Sequence, residues 1–116
     1  MPRAAVDWML KAFSDPLRLR ILHVLRGGEL CVCDLVDVLK VPQPTASRHL
    51  AYLGKAGLVT GRREKYWTFY AVAPGRTAFH KKLLECLDTC VVDVPAVGED
   101  VKRARTVRAR GACSAG

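Results

Sequence analysis

The change of periodicity at Val59 constrains this chain most. Upstream of it, apolar residues recur at helical spacing in four short segments. From Val59 to Val72 the residues are rich in Thr, Tyr, Trp, Phe and Val, which favour strands. The third and fourth helical segments, about Cys31–Leu39 and Pro44–Ala56, are separated only by Val41-Pro42-Gln43, where a residue before proline avoids helical angles. The order is therefore helix, tight turn, helix, hairpin. It predicts a mainly α fold with a β-hairpin, a winged helix-turn-helix.

The remaining elements follow from local signals. Residues 4–13 read as a short amphipathic helix with Val6, Trp8, Met9, Ala12 and Phe13 as its apolar members. Ser14-Asp15-Pro16 supplies a capping side chain and a proline at the first helical position of a second helix, which ends at Arg26-Gly27-Gly28. The break Arg62-Arg63-Glu64-Lys65 lacks the glycine of tight hairpin turns, so a longer loop is expected there. A fifth helix is read from Arg76 to about Val91. Residues 1–94 are taken as the DNA-binding and dimerisation domain. Residues 95–116 are taken as a basic tail carrying Cys113, with Val101, Ala104 and Val107 spaced for a short helix and disorder as the alternative.

The formal charge is +8, which favours an anionic partner. Between Lys40 and Arg76 seven basic residues face one acid, Glu64, and they coincide with the fourth helix and the hairpin. In a winged helix-turn-helix the second helix of the turn presents its N-terminal residues to base edges in the major groove. Gln43, Thr45, Ser47, Arg48 and His49 hold those positions and have suitable chemistry. Arg62, Arg63 and Lys65 at the hairpin would reach the backbone or minor groove. For the second basic block, Lys102 to Arg110, DNA contact and a merely solvated face are equally open.

No apolar run approaches the roughly 20 residues of a membrane span, and Met1–Lys11 lacks the apolar block of a secretion signal. The expectation is a cytoplasmic protein with no membrane partner. Its five cysteines would then be kept as thiols.

Three blocks resemble the ArsR/SmtB family of bacterial metal-sensing repressors. They are Phe13-Ser14-Asp15-Pro16-Leu17-Arg18-Leu19-Arg20-Ile21-Leu22, Glu29-Leu30-Cys31-Val32-Cys33-Asp34-Leu35 and Gln43-Pro44-Thr45-Ala46-Ser47-Arg48-His49-Leu50. The resemblance implies a homodimer joined through the first and fifth helices. It further implies binding to a palindromic double-stranded operator, and release when a soft metal or metalloid binds. The arsenic-responsive members carry a third cysteine three residues after the second, where this chain has Val36.

Trivalent arsenic or antimony prefers three thiolates, and soft ions select sulfur over nitrogen or oxygen. Cys31 and Cys33 supply two. Cys113 is the chosen third, because it follows a basic segment with no core to fill; Cys86 and Cys90, four apart on one helix face, are the alternatives. Residues two apart on a regular helix point to different sides. For Cys31 and Cys33 to share one ion, the first turn of their helix must unwind or already be irregular. His23, His49 and His80 lack the spacing of the fifth-helix zinc sensors, and zinc is set aside.

Two other readings compete. One keeps the fold and makes the switch a thiol-redox or persulfide event at the cysteine pair. The other is a thiol-dependent enzyme. It finds no C-x-x-C, no Gly-rich phosphate loop and no acid/base partner, so no catalytic residue is assigned.

Overall fold

The computed structural model describes residues 3–89 and 93–111. Among the described residues, six helices, α1 (Arg3–Phe13), α2 (Pro16–Arg26), α3 (Val32–Leu39), α4 (Gln43–Lys55), α5 (Ala78–Thr89) and α6 (Val97–Ala109), accompany a small sheet. Its strands are β1 (Leu30–Cys31), β2 (Val59–Glu64) and β3 (Trp67–Val72), in the antiparallel order β1-β3-β2. This is the winged helix-turn-helix anticipated from the periodicity change.

The second helix starts as its sequence dictates. Asp15 stays extended, and its carboxylate accepts from the backbone N–H groups of Leu17 at 2.8 Å and Arg18 at 3.2 Å, with Pro16 at the first helical position. The core forms where α2, α3 and α4 meet, around Ile21, Leu22, Leu35, Leu39, Leu50 and Leu53, all essentially without solvent contact.

Arginines cap three successive helix C-termini, whose last carbonyls have no partner within the helix. Arg18 donates to the Lys11 and Ala12 carbonyls at the end of α1, at 2.8 and 3.0 Å. Arg108 reaches from α6 to the Val24 and Gly28 carbonyls at the end of α2, at 2.9 and 2.7 Å. Arg20 donates to the Leu39 carbonyl at 3.0 Å and Arg103 to that of Val38, closing α3. Part of the basic excess is therefore structural.

Two expectations, the longer hairpin loop and the start of α5, need correction, and β1 and the helix of the tail add to the reading. The hairpin turn is two residues, Lys65-Tyr66, because Glu64 pairs with Trp67 and Lys65 itself takes a left-handed φ of 55°. The strand β1 was not anticipated, since two residues carry no alternation to read. Of the tail's alternatives, helix is the outcome for residues 97–109. Val97, Ala104 and Val107 are buried, and Asp100, fully buried, binds Arg20 bidentately at 2.8 and 2.9 Å and Arg103 at 3.1 Å. Helix α5 begins at Ala78, two residues later than read, with Thr77 Oγ1 accepting from the His80 N–H.

Candidate metal centre and nucleic-acid interface

The cysteine pair straddles the junction of a strand and a helix. Cys31 is the last residue of β1 and the residue before α3, in an extended conformation (φ −77°, ψ 159°), whereas Cys33 lies in the first helical turn. That is the irregular geometry required for two residues so close in sequence to face one point. Their sulfurs are 3.0 Å apart, within reach of a weak hydrogen bond in either direction. Cys31 is buried and Cys33 is the more open of the two.

A third donor was missed. Among the described residues, one oxygen of Asp34 lies with both sulfurs inside a cluster whose donor atoms are all within 4.8 Å of one another. Asp34 is 1 % exposed and faces Arg110, whose guanidinium donates to it at 3.4 Å and to Asp37 at 2.6 Å. The sequence signal was there, an acid next to Cys33 in a short helix, but nothing local showed that it points back at the pair. Two sulfurs and a carboxylate fit a soft or borderline cation; a metalloid that prefers three thiolates needs one more sulfur. Cys113 and Cys90 lie outside the described residues. Cys86, half-buried on α5, is absent from the cluster.

The cleft beside the pair, about 160 Å³, is lined by Glu29, Leu30, Cys31, Asp34, Phe69 and Gly111 among others. Cys31 pairs with Phe69 of β3, so the thiol site is built into the same sheet as the wing. Glu29 strengthens that link: its carboxylate accepts from Arg62 of β2 at 2.8 and 2.9 Å. Arg62 also bonds Glu64 at 3.0 Å, and its guanidinium lies 4.6 Å from the centre of the Phe69 ring. These pairs hold the Glu29 carboxyl below the usual carboxylate range through its bonds to Arg62.

The residues read as DNA-facing fall into three groups. Gln43, Ser47 and Arg48 are exposed on the N-terminal half of α4, with Thr45 half-buried among them. Arg63 and Lys65 are exposed at the wing tip, whereas Arg62 is committed to Glu29 and Glu64. His49 turns inward, its Nδ1 3.4 Å from Arg18, whose guanidinium stacks 4.2 Å above the Tyr52 ring. Trp8 of α1 packs on the same ring at 5.0 Å, so this stack fixes α4 against α1 and α2. Of the second basic block, Arg103, Arg108 and Arg110 are used within the molecule, and Lys102 and Arg105 are exposed.

Burial pushes the His49 pKa down, with Asp15 opposing and Arg18 and Arg48 adding to the push; burial and then Arg76 lower that of His80. The His80 Nε2 is buried without a hydrogen-bond partner. Both imidazoles thus bind a proton more readily in the unfolded chain. Their contribution to stability is complete above the unfolded value near 6.5 and is lost as pH falls through it. The urea midpoint is expected to drop between about pH 7.5 and 5.5, and His80→Gln should reduce that drop. An unchanged midpoint over this range contradicts the burial of both rings. The Arg-paired acids Glu29, Asp37 and Asp88 act in a separate window, below about pH 5.

Comparison with known proteins agrees with this architecture. Residues 15–60, covering the cap of α2 through the start of β2, match the bacterial regulatory protein, arsR family. An uncharacterised HTH-type transcriptional regulator of Methanocaldococcus jannaschii is 46% identical over 81 residues, 69% of this chain and 88% of that one. The arsenical resistance operon repressor of Escherichia coli is 40% identical over 78 residues, 66% of this chain and 67% of that one. A homodimeric winged helix-turn-helix DNA-binding domain from Mycobacterium bovis superposes with a TM-score of 0.64 at 27% identity, over 80% of this chain and 81% of that one. The chain belongs to the ArsR/SmtB family of winged helix-turn-helix proteins, DNA-binding transcriptional repressors and not enzymes.

Proposed function

We propose that this repressor is a homodimer that holds a palindromic operator and releases it when trivalent arsenic or antimony is bound by Cys31, Cys33 and Cys113. The observation that carries the reading is the pair of sulfurs 3.0 Å apart at a strand–helix junction, a geometry in which both thiolates reach one ion without unwinding α3. Two facts favour Cys113 over α5 for the third thiolate. Gly111 lines the cleft that Cys31 lines, and two further residues of chain extend at most ~7 Å. Cys86 lies on α5, outside the cluster. The site so built belongs to one subunit.

Dimerisation through α1 and α5 is supported by the half-exposed Leu10 on α1 and the partly buried Phe79, Leu83 and Cys86 on α5. The two α4 helices then present Gln43, Thr45, Ser47 and Arg48 to successive major grooves. Arg63 and Lys65 reach the flanking backbone, and His49 orients α4 through Arg18. Arg62 reaches DNA only by leaving Glu29.

Release follows from where the ion pulls. One thiolate is anchored in β1, which is paired to the wing, and the other in α3, which packs on α4. Bridging them through one ion, with the tail as third ligand, locks wing and recognition helix in one relative position, which the operator-bound state does not share. Asp34, held by Arg110, transmits the same constraint to α6.

The test is titration of reduced protein with arsenite and with antimonyl tartrate, following thiolate-to-ion absorbance and operator release together. Wild type is expected to show both signals at one ion per subunit, and Cys113→Ser to lose most of each. A Cys113→Ser protein that behaves as wild type removes the tail from the site. The short sulfur–sulfur distance also suits a redox or persulfide switch. Operator release by peroxide or polysulfide, with the matching change in protein mass and no response to arsenite, would establish that reading instead.

A further inference from the structure

We infer that Lys40 and Lys102 form a clasp for a backbone phosphate of the operator, extending the DNA contact from the helix-turn-helix onto α6. This rests on the operator-binding reading and adds α6, which lies outside residues 15–60, to the DNA-contacting surface.

A cleft of about 230 Å³ between α3 and α6 is lined by Asp37, Lys40, Lys102, Arg103, Thr106 and Arg110, together with Val107. Four cations there face one carboxylate. Arg103 is bound to the buried Asp100. Arg110 binds Asp37 at 2.6 Å, which holds that carboxyl below its usual range and offsets its charge. The remaining attraction comes from the exposed Lys40 and Lys102. The pair that Lys102 makes with Glu99 is long, 3.8 Å, and both side chains are well exposed. An ion pair of that kind contributes little and exchanges readily for a phosphate.

The location suits DNA. Arg103 binds at the C-terminal end of α3 and Arg110 binds beside its start, so α6 runs antiparallel to α3. That places Lys102 near the end of α3 that leads into the turn. Lys40 is the residue after α3 and lies three positions before Gln43, the first residue of α4. The cleft therefore adjoins the end of α4 that enters the groove in this fold.

The backbone at Lys40 gives an independent argument. Its φ is 58°, in the left-handed region that glycine or asparagine occupies at lower cost. The wing turn repeats the choice, with Lys65 at φ 55°. Both tight turns of the DNA-facing unit thus accept the cost of a left-handed backbone to carry a lysine. Strain retained at a particular residue points to a role for its side chain.

The experiment measures operator affinity against salt concentration for wild type, Lys40→Gly, Lys102→Ala and Arg48→Ala, with a scrambled duplex alongside. With one phosphate between them, each lysine removed should make the log–log salt slope shallower by up to about 1, and lower affinity for operator and scrambled DNA by the same factor. Arg48→Ala should instead reduce the preference between them. Lys40→Gly should unfold at a urea concentration no lower than wild type, since glycine relieves the turn. Unchanged slopes in both lysine variants, with operator preference intact, overturn the clasp alone. A wild type with no preference for any duplex overturns the operator reading and the clasp with it.

Discussion

Asp100→Ala is expected to lower stability by about 3–5 kcal/mol, the usual loss when one partner of a buried ion pair is removed. Asp100 is 0 % exposed, and its two oxygens receive Arg20 bidentately and Arg103. Removing the carboxylate leaves the Arg20 guanidinium, only 18% exposed, beside the C-terminal end of α3 without its counter-charge. Arginine is too basic to lose its proton in a folded protein, so the charge persists and cannot be relieved by deprotonation. Asp100→Asn keeps one acceptor and should lose less. Urea unfolding measures both, and hydrogen exchange of the α6 amides locates the damage. A loss under 1 kcal/mol for Asp100→Ala would show that α6 is not held by this triad. The surface pairs Lys82–Glu85 and Lys102–Glu99 should matter far less, because exposed pairs contribute little.

Cys31→Ser should abolish the metalloid response while leaving operator binding intact. Thiolate-rich sites bind their ions with roughly 10–16 kcal/mol spread over three or four ligands, so one thiolate is worth about 3 kcal/mol, or more than 100-fold in affinity. Serine is close in size to cysteine, and Cys31 makes no side-chain cap for α3, so the fold has little reason to change. Cys33→Ser should have the same effect on the ion. The two variants should differ in accessibility: the remaining Cys33 thiol alkylates faster than the remaining Cys31 thiol, because Cys31 is buried in β1. Arsenite affinity within a few-fold of wild type in either variant would remove that sulfur from the site.

The local signals in the sequence reached the helix-turn-helix and stopped at contacts made over long range. Asp15-Pro16 marks α2 because a cap is a local bond between a side chain and the next turn. The strand formers of Val59–Val72 mark the wing for the same reason. By contrast, β1 exists only because Leu30 and Cys31 meet Tyr70 and Phe69, about forty residues away along the chain. The arginines of the tail look like a DNA-binding run until their acceptors are known. Arg108 and Arg110 find theirs on α2 and α3, 73 to 84 positions earlier. Arg62 at the wing is likewise paired, with Glu29, a contact invisible in the sequence. The pair Cys31 and Cys33 was legible as chemistry, but its shared direction depended on the extended backbone of Cys31.

That placement gives the thiol pair two mechanical outlets, the wing through β3 and the recognition helix through α3. A switch built this way is a coupling free energy between ion and DNA, and such coupling acts equally in both directions. The decisive measurement is the arsenite affinity of the reduced protein with and without saturating operator, by competition with a dithiol of known affinity. If arsenite weakens operator binding by some factor, operator must weaken arsenite binding by the same factor, and the account predicts that equality. An arsenite affinity unchanged by operator DNA, alongside arsenite-driven release, would contradict the account, because release would then not come from equilibrium competition between the two bound states.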